Sequence, residues 1–503
     1  MNYYSSRSIY ALVMGLALLT QPVTSQLRAQ AAPKVDTHEL RATAFVNALN
    51  QDDPMQYEAF MQEHRATSVL NSSTTNERAD SFVSLKNDLG SLGVMGVMRV
   101  SDTETRVLVE SKNMGGELEI IFGHEPDTEA KLTTIQFAPS TPDLVVPDDW
   151  QSLQELLDGY VGVTQIPAWA VAVVSNGVIV DVAAAGVKQV GKDEPITIED
   201  RFHWGSVTKS LTATVAASLV EKGKITWDTK ITDLFEAKRV KQEYHNVTLS
   251  DMLNHRSGLP GYDDFEEEFM LQMQQGHPTD PVAQRAYWVE QMLAQDAPIY
   301  TPGQGHRYSN GGYVVAGRML ELASGKPWEQ LVSEHIFIPL KMQSAGTGWP
   351  QSVGKMQPAG HFGMDTQELE VAPVSVMTDL VRVLAPAGNV HSSITDFAQY
   401  SLLHLNGLKG DGTILKPATI KHLHQPPAGE LIRPEPYSFG WGHTPLPNGQ
   451  TMQWHNGGAG SFYAEARLVP EQDIGFVIMA NAGVAERFIG PLWQALYKRY
   501  VQD

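Results

Sequence analysis

No stretch leaves the chain fewer choices of fold than Ile166–Val174, an apolar run rich in valine, followed by Ser175-Asn176-Gly177 and then Val178–Val182. β-Branched residues favour extended backbone, and an Asn-Gly pair between two such runs supplies the positive φ angles of a tight turn. The segment therefore reads as a β-hairpin, and the sheet built on it is antiparallel there. Beyond Gly205 the period changes. Val207, Leu211, Val215, Leu219 and Val220 recur at helical spacing, and Gly223 supplies the stop. Val247–Pro260 reads as a short helix ending in a glycine turn, and Gly311–Leu322 as another helix. The segments from Trp454 to Phe462, Glu465–Val469 and Ile474–Ala480 read as three strands of one antiparallel sheet. The expectation for this part is an α+β domain, an antiparallel sheet with a helical cluster, starting near Trp150 and running over residues 150–503.

Upstream lies a different texture. Asp36-Thr-His-Glu39 opens a first helix, Pro54 a second, and Asn76–Leu89 a third. Val94–Val100, Arg106–Glu110, Glu117–Phe122 and Leu132–Phe137 read as short strands, with Leu118, Ile120 and Phe122 alternating. Residues 35–138 are thus expected to form a small α+β module of cystatin or nuclear-transport-factor type, with the proline-marked segment 139–149 as linker. No group of reactive side chains stands out in it, so it reads as a spacer or docking module ahead of the alternative, a recognition domain. At the N-terminus, Arg7, the apolar run Ile9–Leu19 and the small-residue site Ala29-Gln-Ala31 read as a signal peptide over residues 1–31, implying an exported, periplasmic or secreted protein. The absence of cysteine fits that expectation and excludes disulfides. The formal net charge of -20 argues against a nucleic-acid partner, which selects a basic face.

The chemistry centres on Ser206 and Lys209, three residues apart where the helix after Gly205 begins. Positions i and i+3 share a helix face, so hydroxyl and amine can meet. Serine needs a base within hydrogen-bond reach, and lysine serves when burial or neighbouring cations lower its pKa. The helix start also offers backbone N–H groups to a developing oxyanion. The pair alone is weak: Ser352-Val-Gly-Lys355 has the same spacing among Pro350, Gly354 and Pro358, with no helical run.

Taken with Tyr308-Ser-Asn310 and His455-Asn-Gly457, in that order and at sensible separations, the pattern resembles the serine β-lactamase and penicillin-binding-protein superfamily. The likeness covers about residues 150–500 and falls on the class C-like, penicillin-binding-protein-4-like and family VIII esterase side. Phe202, Gly205, His255-Arg-Ser-Gly-Leu259 and Phe439-Gly-Trp441 add to it. The resemblance implies an acyl-enzyme on Ser206, without metal or cofactor. It implies Lys209 as the group that tunes the site and passes protons, and Tyr308 as general base or acid. Asn310 would bond Lys209 or the substrate amide, and Gly457 would belong to the third motif. The oxyanion would sit between the backbone N–H groups of Ser206 and Gly458. One position departs from the pattern of efficient β-lactam hydrolases, which carry lysine where this chain has His455. A mostly neutral imidazole is a weaker carboxylate anchor, so esters or peptides are expected as substrates ahead of β-lactams.

Other chemistries find less support. There is no Gly-x-Ser-x-Gly elbow and no His-Glu-x-x-His, and His422 and His424 sit two apart in an expected helix, facing different sides. A peptidoglycan-binding or scaffolding protein with a slow or dead site is the competing reading. Residues 263–300, with acids at Asp263, Asp264 and Glu266–Glu268, are either a helical lid over the site or a solvated charged face. The partner expected is a small ester or peptide, peptidoglycan-derived peptides included.

Overall fold

The computed structural model describes residues 37–502, except 52, 71–74, 114–115, 127–128, 141–143, 145, 148, 263–279, 296, 355, 364–365, 374–381, 428–435 and 447. The expected signal segment, residues 1–31, and the acidic stretch 263–268 lie outside the described residues. Two compact units emerge: residues 1–148 with 486–503, and residues 149–485. The sequence reading carries the second domain to residue 503, whereas the contacts group residues 486–503 with the first unit. Among the described residues no helix is long and apolar enough to cross a membrane.

In the first unit α1 (Thr37–Asn50), α2 (Pro54–His64), a four-residue helix over Thr67–Leu70 and α3 (Thr75–Leu89) precede a meander of β1 (Leu92–Ser101), β2 (Glu104–Ser111), β3 (Gly116–His124) and β4 (Leu132–Pro139). Asp53 caps α2 by accepting from Met55 N at 2.9 Å, with Pro54 in the first turn where a missing N–H costs nothing. Alternation decides which strand face is covered. Val107, Val109, Leu118, Ile120 and Phe122 share one core with Phe45, Tyr57, Phe60 and Phe82 from the helices. The unit is a small α+β module, in the order of elements the sequence implies.

The second unit is built on a seven-stranded antiparallel sheet. Its strands are β5 (Ala168–Ser175), β6 (Val178–Gly186), β7 (Tyr437–Ser438), β8 (Trp441–Pro445), β9 (Thr451–Gly458), β10 (Tyr463–Val469) and β11 (Ile474–Ala480), in the spatial order β7-β8-β9-β10-β11-β5-β6. The hairpin forms where Asn176-Gly177 demands it: Ser175 pairs with Val178, and the two turn residues have φ of 51° and 77°. The nearly continuous apolar character of β5 follows from cover on both faces. Ala168, Ala170, Ala172 and Val174 point into the main core, and Trp169 stacks edge-on against Tyr160 of α4 (Leu153–Thr164) with ring centroids 5.3 Å apart.

The main core holds the helical cluster. Every residue of α5 (Thr208–Glu221) from Thr208 to Leu219 is buried, so this helix runs through the interior and not along the surface. Against it pack α7 (Asn310–Ser324) and the short helix Ala385–Gly388, while α8 (Ile394–Lys409) lies on β5 and β11. The described part of the expected lid is α6 (Pro281–Gln295), whose Trp288, Val289, Met292 and Leu293 belong to the same core. Their burial makes α6 a structural wall. Arg285 of α6 is fully buried and held by Glu321 and Glu329 at 2.5 and 3.0 Å.

Candidate active site

The serine turn is set by backbone before any side chain is considered. The two-residue strand Phe202–His203 pairs with Val390–Ser392, and Trp204 N bonds Val390 O at 2.8 Å. Trp204 is anchored by its indole N–H on Ser392 Oγ at 2.9 Å and by the Phe397 ring. Gly205 then turns at φ 51°, and a 3-10 turn over Gly205–Val207 feeds into α5. The end of β9 crosses here in main-chain contact. A Cβ on Gly205 would lie 2.8 Å from Gly457 C, and one on Gly457 would lie 2.0 Å from Trp204 O and 2.6 Å from Ser206 N. Two glycines from distant motifs are thus required by a single close approach. The approach brings the Gly457-Gly458 end of the third motif to the backbone nitrogen of Ser206.

Lys209 lies one turn further on and is fully buried, while Ser206 stays partly exposed. Its Nζ donates to Ser206 Oγ at 2.9 Å, to Asn310 Oδ1 at 2.8 Å and to Ala387 O at 2.8 Å. Asn310 is oriented by Nδ2 donating to Tyr262 O at 3.2 Å, which leaves Oδ1 as the acceptor facing lysine. The arrangement serves both protonation states. An ammonium fills all three acceptors. A neutral amine keeps its two N–H groups on the carbonyl oxygens and turns its lone pair to the Ser206 hydroxyl.

Tyr308 comes in from the segment before α7. Its ring centroid is 4.7 Å from Lys209 Nζ, with that of Tyr313 at 5.7 Å, so two aromatic faces surround the amine. The placement of Tyr308 rests on His255, a residue at φ 57°. His255 O accepts from Arg307 N at 2.9 Å and its Nδ1 accepts from Ser309 N at 3.1 Å, gripping the chain on either side of the tyrosine. The His255 and Tyr308 rings lie 4.4 Å apart. Ser309 caps α7 through Gly312 N at 3.0 Å, which puts Asn310 in the first helical turn.

His455 sits on β9 with both ring nitrogens engaged. Nδ1 meets Asn456 O at 2.5 Å; a carbonyl only accepts, so Nδ1 carries the proton. Nε2 is then the acceptor for the Tyr437 hydroxyl at 3.3 Å. Burial, helped by the Lys209 charge, pushes the His455 pKa down to about 3. The imidazole is neutral at physiological pH, and neither nitrogen is left to hold a carboxylate. Ser206, Lys209, Tyr308, Asn310 and Gly457 are gathered in one place, and His455 and Gly458 continue along the adjoining strand end. Ser352, by contrast, lies in a 3-10 turn with its hydroxyl on Trp349 O at 2.6 Å. Lys355 is outside the described residues.

A profile of the family described as Beta-lactamase matches residues 153–496, more than half of the chain. The chain belongs to the β-lactamase family. Its members are generally serine hydrolases. Relatives include penicillin-binding protein 4 of Amycolatopsis lactamdurans, 28% identical over 70% of this chain and 90% of the relative. Another is the unguisins hydrolase of Aspergillus campestris, 27% identical over 65% of this chain but only 60% of the relative's length. Among solved structures, the octameric penicillin-binding protein homologue from Pyrococcus abyssi superposes with a TM-score of 0.56 at 24% identity, over 68% of this chain and 75% of that one, a likeness of fold.

Three contributors to this β-lactamase-family site escape a motif reading. Ala387 acts through its carbonyl oxygen, which no residue type encodes. His255 lies in a segment that resembles the family, but its grip on Tyr308 depends on a left-handed backbone. Tyr437, just ahead of Phe439-Gly-Trp441, reaches His455 only because β7 and β9 flank β8.

Proposed function

We propose that the protein is a serine hydrolase forming an acyl-enzyme on Ser206 and cleaving esters or amide bonds, including peptides with D-amino acids, ahead of β-lactams. The observation that carries the proposal is the buried Lys209 amine at 2.9 Å from Ser206 Oγ, bonded also to the carbonyl oxygens of Asn310 and Ala387. In the acylation step the Ser206 oxygen attacks the substrate carbonyl and its proton passes to the neutral Lys209 amine. The backbone N–H groups of Ser206 and Gly458 receive the oxyanion. Tyr308, against Lys209, relays that proton to the leaving alkoxide or amine as the carbonyl bond to it breaks. Water then attacks the ester, losing its proton along the same path, and Ser206 leaves with a proton restored. Relatives named as a penicillin-binding protein and as a hydrolase fit this class.

Substrate choice follows from His455. Where a lysine would offer a positive charge to a carboxylate, the neutral imidazole has both nitrogens in use. Substrates lacking a free carboxylate beside the scissile bond should therefore be turned over faster. The test is kcat/KM for p-nitrophenyl butyrate and nitrocefin side by side, with fluorophosphonate labelling of Ser206. A large nitrocefin advantage refutes the substrate preference. No labelling on fresh wild-type protein, with Ser206→Ala as control, refutes the hydrolase and leaves a binding protein. Export through cleavage near Ala31 belongs to the same proposal, and the N-terminal sequence of the protein recovered from expressing cells tests it.

A further inference from the structure

The small module looks chemically inert in sequence, yet it holds a cation that no described carboxylate neutralises. Arg65 closes α2, its backbone N–H bonding Met61 O at 3.1 Å. Its backbone also forms a parallel bridge to Leu132 of β4, and Ala66 N bonds Leu132 O at 3.0 Å. The root of the side chain is thus fixed from both helix and sheet. The side chain is half-buried, and its Nε and Nη1 atoms are enclosed with no hydrogen-bond partner among the described residues. Among the described residues, the titratable group that acts on it is Tyr57, a buried phenol, and no carboxylate does. Glu58, on the same helix, is engaged by Arg78 at 2.8 and 2.6 Å. Burial lowers the Arg65 pKa to about 10, so the charge persists at neutral pH.

A guanidinium withdrawn from water without a counter-charge is costly, and proteins seldom keep one that nothing completes. Its neighbour Arg78 shows the ordinary solution, a two-point bond to a carboxylate. We propose that Arg65 is the anchor of a binding site on the small module for a carboxylate-bearing organic ligand, flanked by Tyr57. The charge balance selects a monoanion: Arg65 contributes one positive charge, and Arg78 is already neutralised by Glu58. A phosphate dianion would leave net negative charge in a poorly solvated place. The partial exposure of Arg65 provides the approach from solvent. The module is then a recognition element, not a spacer, whatever the reaction at Ser206.

The experiment uses the full chain. Thermal unfolding and isothermal titration are followed with sodium butyrate, sodium phosphate and sodium chloride at matched ionic strength, for wild type, Arg65→Met and Ser206→Ala. Butyrate should bind wild type saturably and raise Tm by about 5 °C at a hundredfold excess over Kd. The effect should vanish in Arg65→Met and persist in Ser206→Ala, which separates this site from the active site. Without ligand, Arg65→Met should be no less stable than wild type, since it removes an uncompensated charge at similar side-chain length. Absence of saturable butyrate binding to wild type overturns the proposal without reference to any variant. So does a butyrate effect that survives Arg65→Met, a ligand-free Arg65→Met that melts earlier, or a response to phosphate alone.

Discussion

Acid should dismantle this protein well before its carboxylates are protonated, because its interior stores neutral histidines. Burial pushes His203, His404 and His455 down to about 3, and His391 and His443 to about 4. Each lies in the second unit and is at most 5% exposed. The unfolded chain offers an ordinary imidazole pKa of about 6.5. The folded value is the lower one, so the unfolded state binds more protons. The stabilisation is present above about pH 6.5 and is lost as pH falls toward the folded values of about 4 and 3. At pH 5 an imidazole that takes up its proton only on unfolding costs the fold about 2 kcal/mol, nearly the same for a folded pKa of 3 or 4. Five independent groups would sum to about 10 kcal/mol, comparable to the whole stability of a typical domain. His203 and His391 are neighbours, so this sum is an upper bound. The assay is urea unfolding by tryptophan fluorescence at pH 8, 7, 6 and 5 and constant ionic strength. Each proton taken up adds a slope of about 1.4 kcal/mol per pH unit. Several protons are expected below pH 6, and His404→Gln should remove one of them. A stability that changes between pH 6 and 5 by less than one proton's worth would refute the reasoning, since it would mean that these imidazoles titrate alike in both states.

The other predictions concern the site. Ser206→Ala should reduce ester turnover by about 1000-fold or more while changing the free energy of urea unfolding by no more than about 1 kcal/mol, since the lost hydrogen bond is the one to Lys209. Gly457→Ala places a methyl 2.0 Å from Trp204 O, so β9 must retreat from the Ser206 nitrogen. It should cost about 1–3 kcal/mol in stability and lower kcat at least tenfold with KM less affected. His455→Lys should raise the nitrocefin to p-nitrophenyl butyrate ratio of kcat/KM by about tenfold, the worth of one charge-assisted contact. An unchanged ratio in a folded variant would detach His455 from carboxylate selection.

What could be read from the sequence, and what could not, divides along the range of the interactions. Asn176-Gly177 and the alternation of Leu118, Ile120 and Phe122 act over a few residues, and the hairpin and meander appear where they place them. The three motifs were legible because each is a short pattern of reactive residue types. Their convergence was implied only by the family resemblance and not by any local pattern, because it is made by contacts between segments far apart in the chain: Lys209 to Ala387, and Gly457 to Ser206. Trp288, Met292 and Leu293 show a second limit. Next to an acidic run they leave a lid and a solvated face equally open, because an apolar stripe on a helix says only that something is packed against it. Here that something is the main core. Arg65 marks the deeper limit. In sequence it is one basic residue at a helix end, a position where a charge normally meets solvent or the helix dipole. Only after α2 is tied to β4 does that arginine become a half-buried cation whose Nε and Nη1 find no partner among the described residues. A residue's chemistry therefore depends on the dielectric that tertiary packing assigns to it, and neither composition nor periodicity carries that quantity.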